Sequence, residues 1–138
     1  MNFKKKLTDD LRSSKIDWLV ILLFLPIMVF TYYFHEFGHW LFGEVFGNDM
    51  TLSINNSSPK SGFFVDEKGA LWSAIGGPMF TIIQALIFLI VTWISKSILS
   101  YSLVYAAVFS RFFALAFGNI KFQDETRIAE MLPMNNYL

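Results

Sequence analysis

From Gly69 to Ser95 the chain reads GALWSAIGGPMFTIIQALIFLIVTWIS, with no charged residue anywhere in the run. The hydrocarbon core of a bilayer, ~30 Å thick, needs about 20 mainly apolar residues wound as helix, so a run of this length points the chain to a membrane. Two further runs have the same character. Trp18 to Phe34 is uncharged, and its pattern continues as helix through Phe46, where Gly47-Asn48 supplies a cap and turn. Ser97 to Ile120 is interrupted only by Arg111. The expected fold is an all-α membrane protein with three transmembrane helices, near residues 17–46, 69–95 and 97–120. These form a single membrane-embedded core over residues 1–138, preceded by a tail over 1–16. The second and third spans, joined around Lys96, make a tight helical hairpin.

Composition agrees. Hydrophobic residues make up 54% and charged residues 16%, against roughly 25% charged in soluble domains. A net charge of zero argues against a nucleic-acid partner or a polybasic membrane-surface module. The absence of cysteine excludes disulfides and thiolate metal sites. The basic start MNFKKKLTDDLRSSKI imitates a signal peptide, but the apolar run after it is too long and ends in no small-residue cleavage site, so it reads as an uncleaved segment.

The loop between the first two spans, NDMTLSINNSSPKSGFFVDEK, is polar and rich in turn residues. Within it, TLSI and GFFV are candidates for the strands of a short β-hairpin. Trp18, Trp93 and Tyr101 fall at one membrane face, Trp40 and Trp72 at the other, as aromatic belts require. Lys4, Lys5, Lys6, Arg12, Lys15 and Lys96 lie on the amino-terminal side, and Lys60, Lys68, Lys121 and Arg127 opposite. The excess favours a multi-pass protein with a cytoplasmic amino terminus. With alternating spans, HEFGH at the end of the first, GGP in the second and FGNIKFQDETRI after the third share one face.

Both histidines of the chain stand in HEFGH: His35 and His39, with Glu36 between them. On a helix, positions i and i+4 lie one above the other on one face. Two imidazoles so placed can bind one Zn²⁺, and Glu36, one residue round, can reach a water on that metal. Two interfacial histidines bonded to head groups would be the bland alternative, but they would have no reason to cluster. A catalytic zinc also needs a third protein ligand. With no third histidine, that ligand is a carboxylate: Glu44, Asp49, Asp66, Glu67, Asp124, Glu125 or Glu130. Glu44 is turned off the histidine face, and Asp49, Asp66 and Glu67 sit in a polar loop. Asp124 and Glu125 follow the third span directly at the depth of the histidines, and geometry favours that pair.

These residues resemble the site-2 protease family of intramembrane zinc metalloproteases. HEFGH has the family's H-E-x-G-H form, GGP at 76–78 is similar to its G-P-x-x-N element with Thr81 at the asparagine position, and NIKFQDETRI keeps Asn119, Asp124, Arg127 and Ile128 in the order of its N-x-x-P…D-G-G-R-I element. The resemblance implies a three-helix catalytic core, one Zn²⁺ per chain on His35, His39 and Asp124, and Glu36 as general base. Glu125 is the alternative third ligand. The implied reaction is hydrolysis of peptide bonds in or next to transmembrane segments of other proteins, so the partners are a substrate helix and the lipid bilayer, not nucleic acid. The alternatives are a membrane zinc protein without proteolytic activity and a membrane metalloprotease of another lineage acting on non-membrane peptides. No feature of the sequence specifies an oligomeric state.

Around this site, Gly76 and Gly77 are expected to let the second span approach the ligand helix, with Gly38 and Gly43 helping from the other side. Gly77 and Pro78, near the start of that span, and Asn119 are candidates for supporting a ligand or positioning substrate. Pro26 should kink the first span. Arg111, about 20 Å from Asp124 at 1.5 Å per helical residue, is expected to bond Gln84 or the carbonyl that Pro26 frees.

Overall fold

The computed structural model describes residues 3–13, 18–116 and 124–132. They form α1 (Phe3–Ser13), α2 (Trp18–Val45), β1 (Met50–Leu52), β2 (Ser57–Pro59), α3 (Glu67–Ser95), α4 (Ile98–Ala116) and α5 (Asp124–Met131). The protein is thus mostly helical, with one small antiparallel sheet. The amino-terminal tail holds the helix α1.

Two helices, α2 and α3, are long and apolar enough to cross a membrane. Only 17% of the most apolar stretch of α2 and 28% of that of α3 is buried, which separates them from core helices of a water-soluble fold. Large apolar side chains such as Leu22, Leu25, Trp93 and Ile94 face outward, while the buried helix residues, Ile27 apart, are mainly small or polar, among them Ala74, Ala106, Ala107, Thr31, Ser73, Thr81 and Gln84. That inversion suits helices whose outer surface meets lipid and whose contacts rely on close approach and hydrogen bonds. α4 runs for 19 residues, ~28 Å at 1.5 Å per residue, and packs on both α2 and α3.

α2 continues through Pro26 without interruption and ends where Gly47 turns to φ 84°. There the Gly47 amide donates to the Glu44 carbonyl and the Asn48 amide to the Gly43 carbonyl, both at 3.0 Å. These bonds satisfy helix-end carbonyls, and a glycine adopts the left-handed conformation at little cost. Buried Asn48 then ties two segments together. Its Nδ2 donates to Gly43 O at 3.2 Å, and its Oδ1 accepts from the Val65 amide at 2.8 Å. α3 starts two residues earlier than the sequence suggested, because Asp66 caps it by accepting from the Gly69 amide at 2.6 Å.

A hairpin is present in the first loop, but its strands are Met50–Leu52 and Ser57–Pro59, with Met50 opposite Pro59 and Leu52 opposite Ser57. GFFV is not a strand. Its last residue is held by Asn48, which draws this segment into the link to α3, and Phe63 and Val65 stand exposed. The Ser53 amide donates to Asn56 O and the Lys60 amide to Asp49 O. In the alternating pattern of an antiparallel pair, this turns the backbone of Ser57 and Pro59 away from β1. Glu44 on α2 fastens the other strand by accepting from the Met50 amide at 2.9 Å.

The closest helix crossing is between α2 and α3. A methyl group added at Gly38 would overlap the Gly76 carbonyl, and one at Gly76 would overlap the Gly38 carbonyl. Gly43 was expected to serve the same crossing, but it makes room for the Met50 side chain of β1 instead.

Candidate metal centre

Two stripes of polar and small residues, each at the four-residue spacing of one helix face, meet across the α2–α3 contact. On α2 the stripe is Thr31, His35 and His39; on α3 it is Ser73, Gly77, Thr81 and, a turn further, Gln84. The helices run antiparallel, so opposite ends pair. Gln84 Nε2 donates to Thr31 Oγ1 at 2.8 Å, His35 Nδ1 lies 3.1 Å from Thr81 Oγ1, and His39 Nδ1 lies 2.6 Å from the Ser73 carbonyl. Gln84 also reaches the Leu103 carbonyl of α4 at 3.4 Å. All of these side chains on α2 and α3 are buried.

The partners fix the imidazole tautomers. A carbonyl only accepts, so the His39 proton is on Nδ1. The Thr81 hydroxyl donates to the Gly77 carbonyl at 3.1 Å, which leaves it as acceptor and puts the His35 proton on Nδ1 as well. Each neutral ring therefore turns a bare Nε2 inward. The two Nε2 atoms lie 3.1 Å apart, and Asp124 Oδ2, from the first turn of α5, lies 3.0 Å from one and 3.2 Å from the other.

Three lone-pair atoms thus form a nearly equilateral triangle. They cannot share it without a cation between them. Four ligands at ~2.0–2.1 Å in a tetrahedron are ~3.3 Å apart, so the triangle fits the protein side of a metal centre with the fourth position open. The group His35, His39 and Asp124 could hold a metal ion. Burial opposes ionisation of Asp124, but when a proton and not a metal occupies the triangle, hydrogen bonds from His35 and His39 Nε2–H and the charge of those rings outweigh it and hold the carboxyl well below the usual carboxylate range.

Gly77 is part of the site. A methyl group there would overlap His39 Nε2 and His35 Cε1, so the glycine leaves space for two imidazoles to converge. Pro78, expected near the start of the span, lies inside α3, which begins at Glu67. Glu36 is buried beside the triad, with the backbone of Ser57 on β2 close to its carboxylate. A cavity of about 480 Å³ opens on these groups, lined by His35, Glu36, His39 and Asp124, by residues 55–59 of the hairpin, and by Tyr32, Arg111 and Arg127.

Of the residues singled out in the sequence, His35, Glu36, His39, Gly77 and Asp124 come together here. The side chain of Glu125 and the whole of Asn119 lie outside the described residues. Of the two partners expected for Arg111, Gln84 is corrected: Gln84 Oε1 accepts no hydrogen bond among the described residues, its Nε2 reaches Thr31 and Leu103, and Arg111 lines the cavity. The distance read from helical rise assumed one straight helix from Arg111 to Asp124, but α4 and α5 are separate elements. Ser73 was missed. Its signal was the Ser73, Gly77, Thr81 stripe at four-residue spacing in an otherwise apolar helix.

No family model matches this chain, and no curated protein or solved structure matches it either.

Proposed function

We propose that the protein is an integral-membrane zinc endopeptidase of the site-2 protease kind, hydrolysing peptide bonds in or next to transmembrane segments of other proteins. The observation that carries this reading is the triangle of His35 Nε2, His39 Nε2 and Asp124 Oδ2, with edges of 3.0 to 3.2 Å, beside the buried carboxylate of Glu36. Two nitrogens and one oxygen with a free fourth position suit zinc in a catalytic setting. In this reading α2, α3 and α4 cross the bilayer, giving a multi-pass protein with a cytoplasmic amino terminus.

Bound zinc would supply a Lewis acid that acidifies water and polarises the scissile carbonyl. Glu36 takes the proton of the attacking water and delivers it to the leaving amine. Both this carboxylate and Ser57 on β2 line the cavity. A substrate helix has its carbonyls bonded internally, so it must unwind before attack. The outward edge of β2 at Ser57 and Pro59 supports capture of the unwound segment as an added strand.

The test is metal analysis together with cleavage. Purified protein should carry about one zinc per chain, lost on His39→Ala and retained on Glu36→Gln. Cleavage of membrane-embedded substrates should vanish with Glu36→Gln while the fold persists. Cleavage that survives Glu36→Gln overturns the reading, and zinc binding without any cleavage indicates a metal-binding membrane protein instead.

A further inference from the structure

The cavity on the triad is not the apolar groove that a lipid-facing helix would call for. Its wall carries serines and asparagines of the hairpin together with two guanidiniums, Arg111 from α4 and Arg127 from α5. Arg127 follows Asp124 by three residues on α5, so one helical turn carries both a metal-ligand candidate and a cation to the same cavity. Arg111 stands in an otherwise uncharged helix, where an ionisable group faces the protein interior and marks a functional path more often than a packing need.

Formal charges then set what the cavity accepts. Among the described residues that line it, Glu36 and Asp124 contribute two negative charges, and Arg111 and Arg127 contribute two positive ones. With a divalent metal these groups sum to about +2, in surroundings where charge is poorly screened. A planar guanidinium recognises a carboxylate through paired hydrogen bonds.

Resting on the protease reading above, we infer that the site selects a peptide bearing a carboxylate within a few residues of the scissile bond, with Arg127 and Arg111 as the groups that bind it. The residues at the cut are thus polar and acidic, at the membrane boundary, and not part of the apolar span. The carboxylate is a side chain or a chain terminus.

The probe is a set of internally quenched dodecapeptide pools, randomised except for one central position fixed as Asp, Asn or Lys, with amidated carboxyl ends. A further Asn pool keeps its free carboxyl end. Zinc-loaded protein in detergent should cleave the Asp pool about tenfold faster than the amidated Asn and Lys pools, with the difference in KM, as one desolvated charge pair allows. Faster cleavage of the free-acid Asn pool than of its amidated twin assigns the carboxylate to a chain terminus. Arg127→Gln and Arg111→Gln, with zinc content retained, should bring the Asp-to-Asn ratio toward one. Arg127→Lys should keep part of the preference, and Arg127→Glu should turn it toward Lys. Equal cleavage of all amidated pools without gain from a free carboxyl end, or a loss on Arg127→Gln that is the same for every pool, overturns the inference. If no pool is cleaved, the protease reading is decided by cleavage of the membrane-embedded substrates above, wild type against Glu36→Gln. Binding of fluorescent pools to the zinc-loaded Glu36→Gln protein then decides the inference alone: preference for a carboxylate-bearing pool supports it, and equal binding overturns it.

Discussion

His39 and Ser73 hold each other in both directions: the imidazole Nδ1–H donates to the Ser73 carbonyl at 2.6 Å, and the Ser73 hydroxyl donates to the His39 carbonyl at 3.0 Å. This clasp joins α2 to α3 at the depth of the metal centre. It sets both the ring orientation and the tautomer of a ligand candidate, so helix packing and site geometry are one interaction. Ser73→Ala keeps the ring bond, which uses the backbone, and loses only the return bond. It should cost ~1 kcal/mol of stability and weaken zinc binding less than tenfold, measured by thermal unfolding and by chelator competition in detergent.

Thr81 supports the other ring, and its role lies in the oxygen and not the shape. Thr81→Val keeps the volume but removes the acceptor for His35 Nδ1–H. Zinc affinity should fall by about 10–100-fold, the usual range for such supporting groups, while Thr81→Ser should retain most of it. Competition with a zinc-selective fluorescent chelator checks both.

Gly77 and Gly38 fail in different ways when enlarged. Gly77→Ala puts a methyl group against His39 Nε2 and His35 Cε1. Bound zinc should drop from about one per chain to near zero, with helicity by circular dichroism unchanged, since alanine favours helix. Gly38→Ala instead drives the helices apart at the Gly76 carbonyl, so it should lower the thermal midpoint as well as zinc content.

Gln84 links three helices through Thr31 Oγ1 and the Leu103 carbonyl. Gln84→Leu removes both bonds from a site away from the metal. It should destabilise the protein by ~1–2 kcal/mol, given roughly 0.6 kcal/mol for an average interhelical bond in a membrane protein and more for the strongest. Zinc stoichiometry should stay the same, which separates this loss from those above.

Protons and metal compete for the triangle, because a cation of either kind can sit between the three lone pairs. Zinc binds the unprotonated imidazoles, so its affinity should fall as pH drops through the imidazole range and level off above it. Titration calorimetry in two buffers of different ionisation enthalpy should show proton release at pH 6 that declines toward pH 8. Asp124 adds no step there, because its carboxyl is held well below the usual carboxylate range.

The sequence by itself determined the long apolar helices and the pairing of His35 with His39, because hydropathy and i,i+4 spacing are properties of neighbouring residues. It also narrowed the third ligand to two adjacent carboxylates. What it did not hold is which atoms converge. Asp124 stands beside His35 at a sequence separation of 89, and only the docking of α5 brings it there. The supports Ser73 and Thr81 looked like ordinary small polar residues of a membrane helix until the antiparallel register of α2 and α3 set each opposite a histidine. The hairpin went the same way. GFFV has the side chains of a strand, but Asn48 takes the Val65 amide, and the pairing falls to Ser57–Pro59. Arg111 looked remote because helical rise measures distance along one helix only. Tertiary structure decided these points, since they rest on contacts between segments that no local pattern encodes.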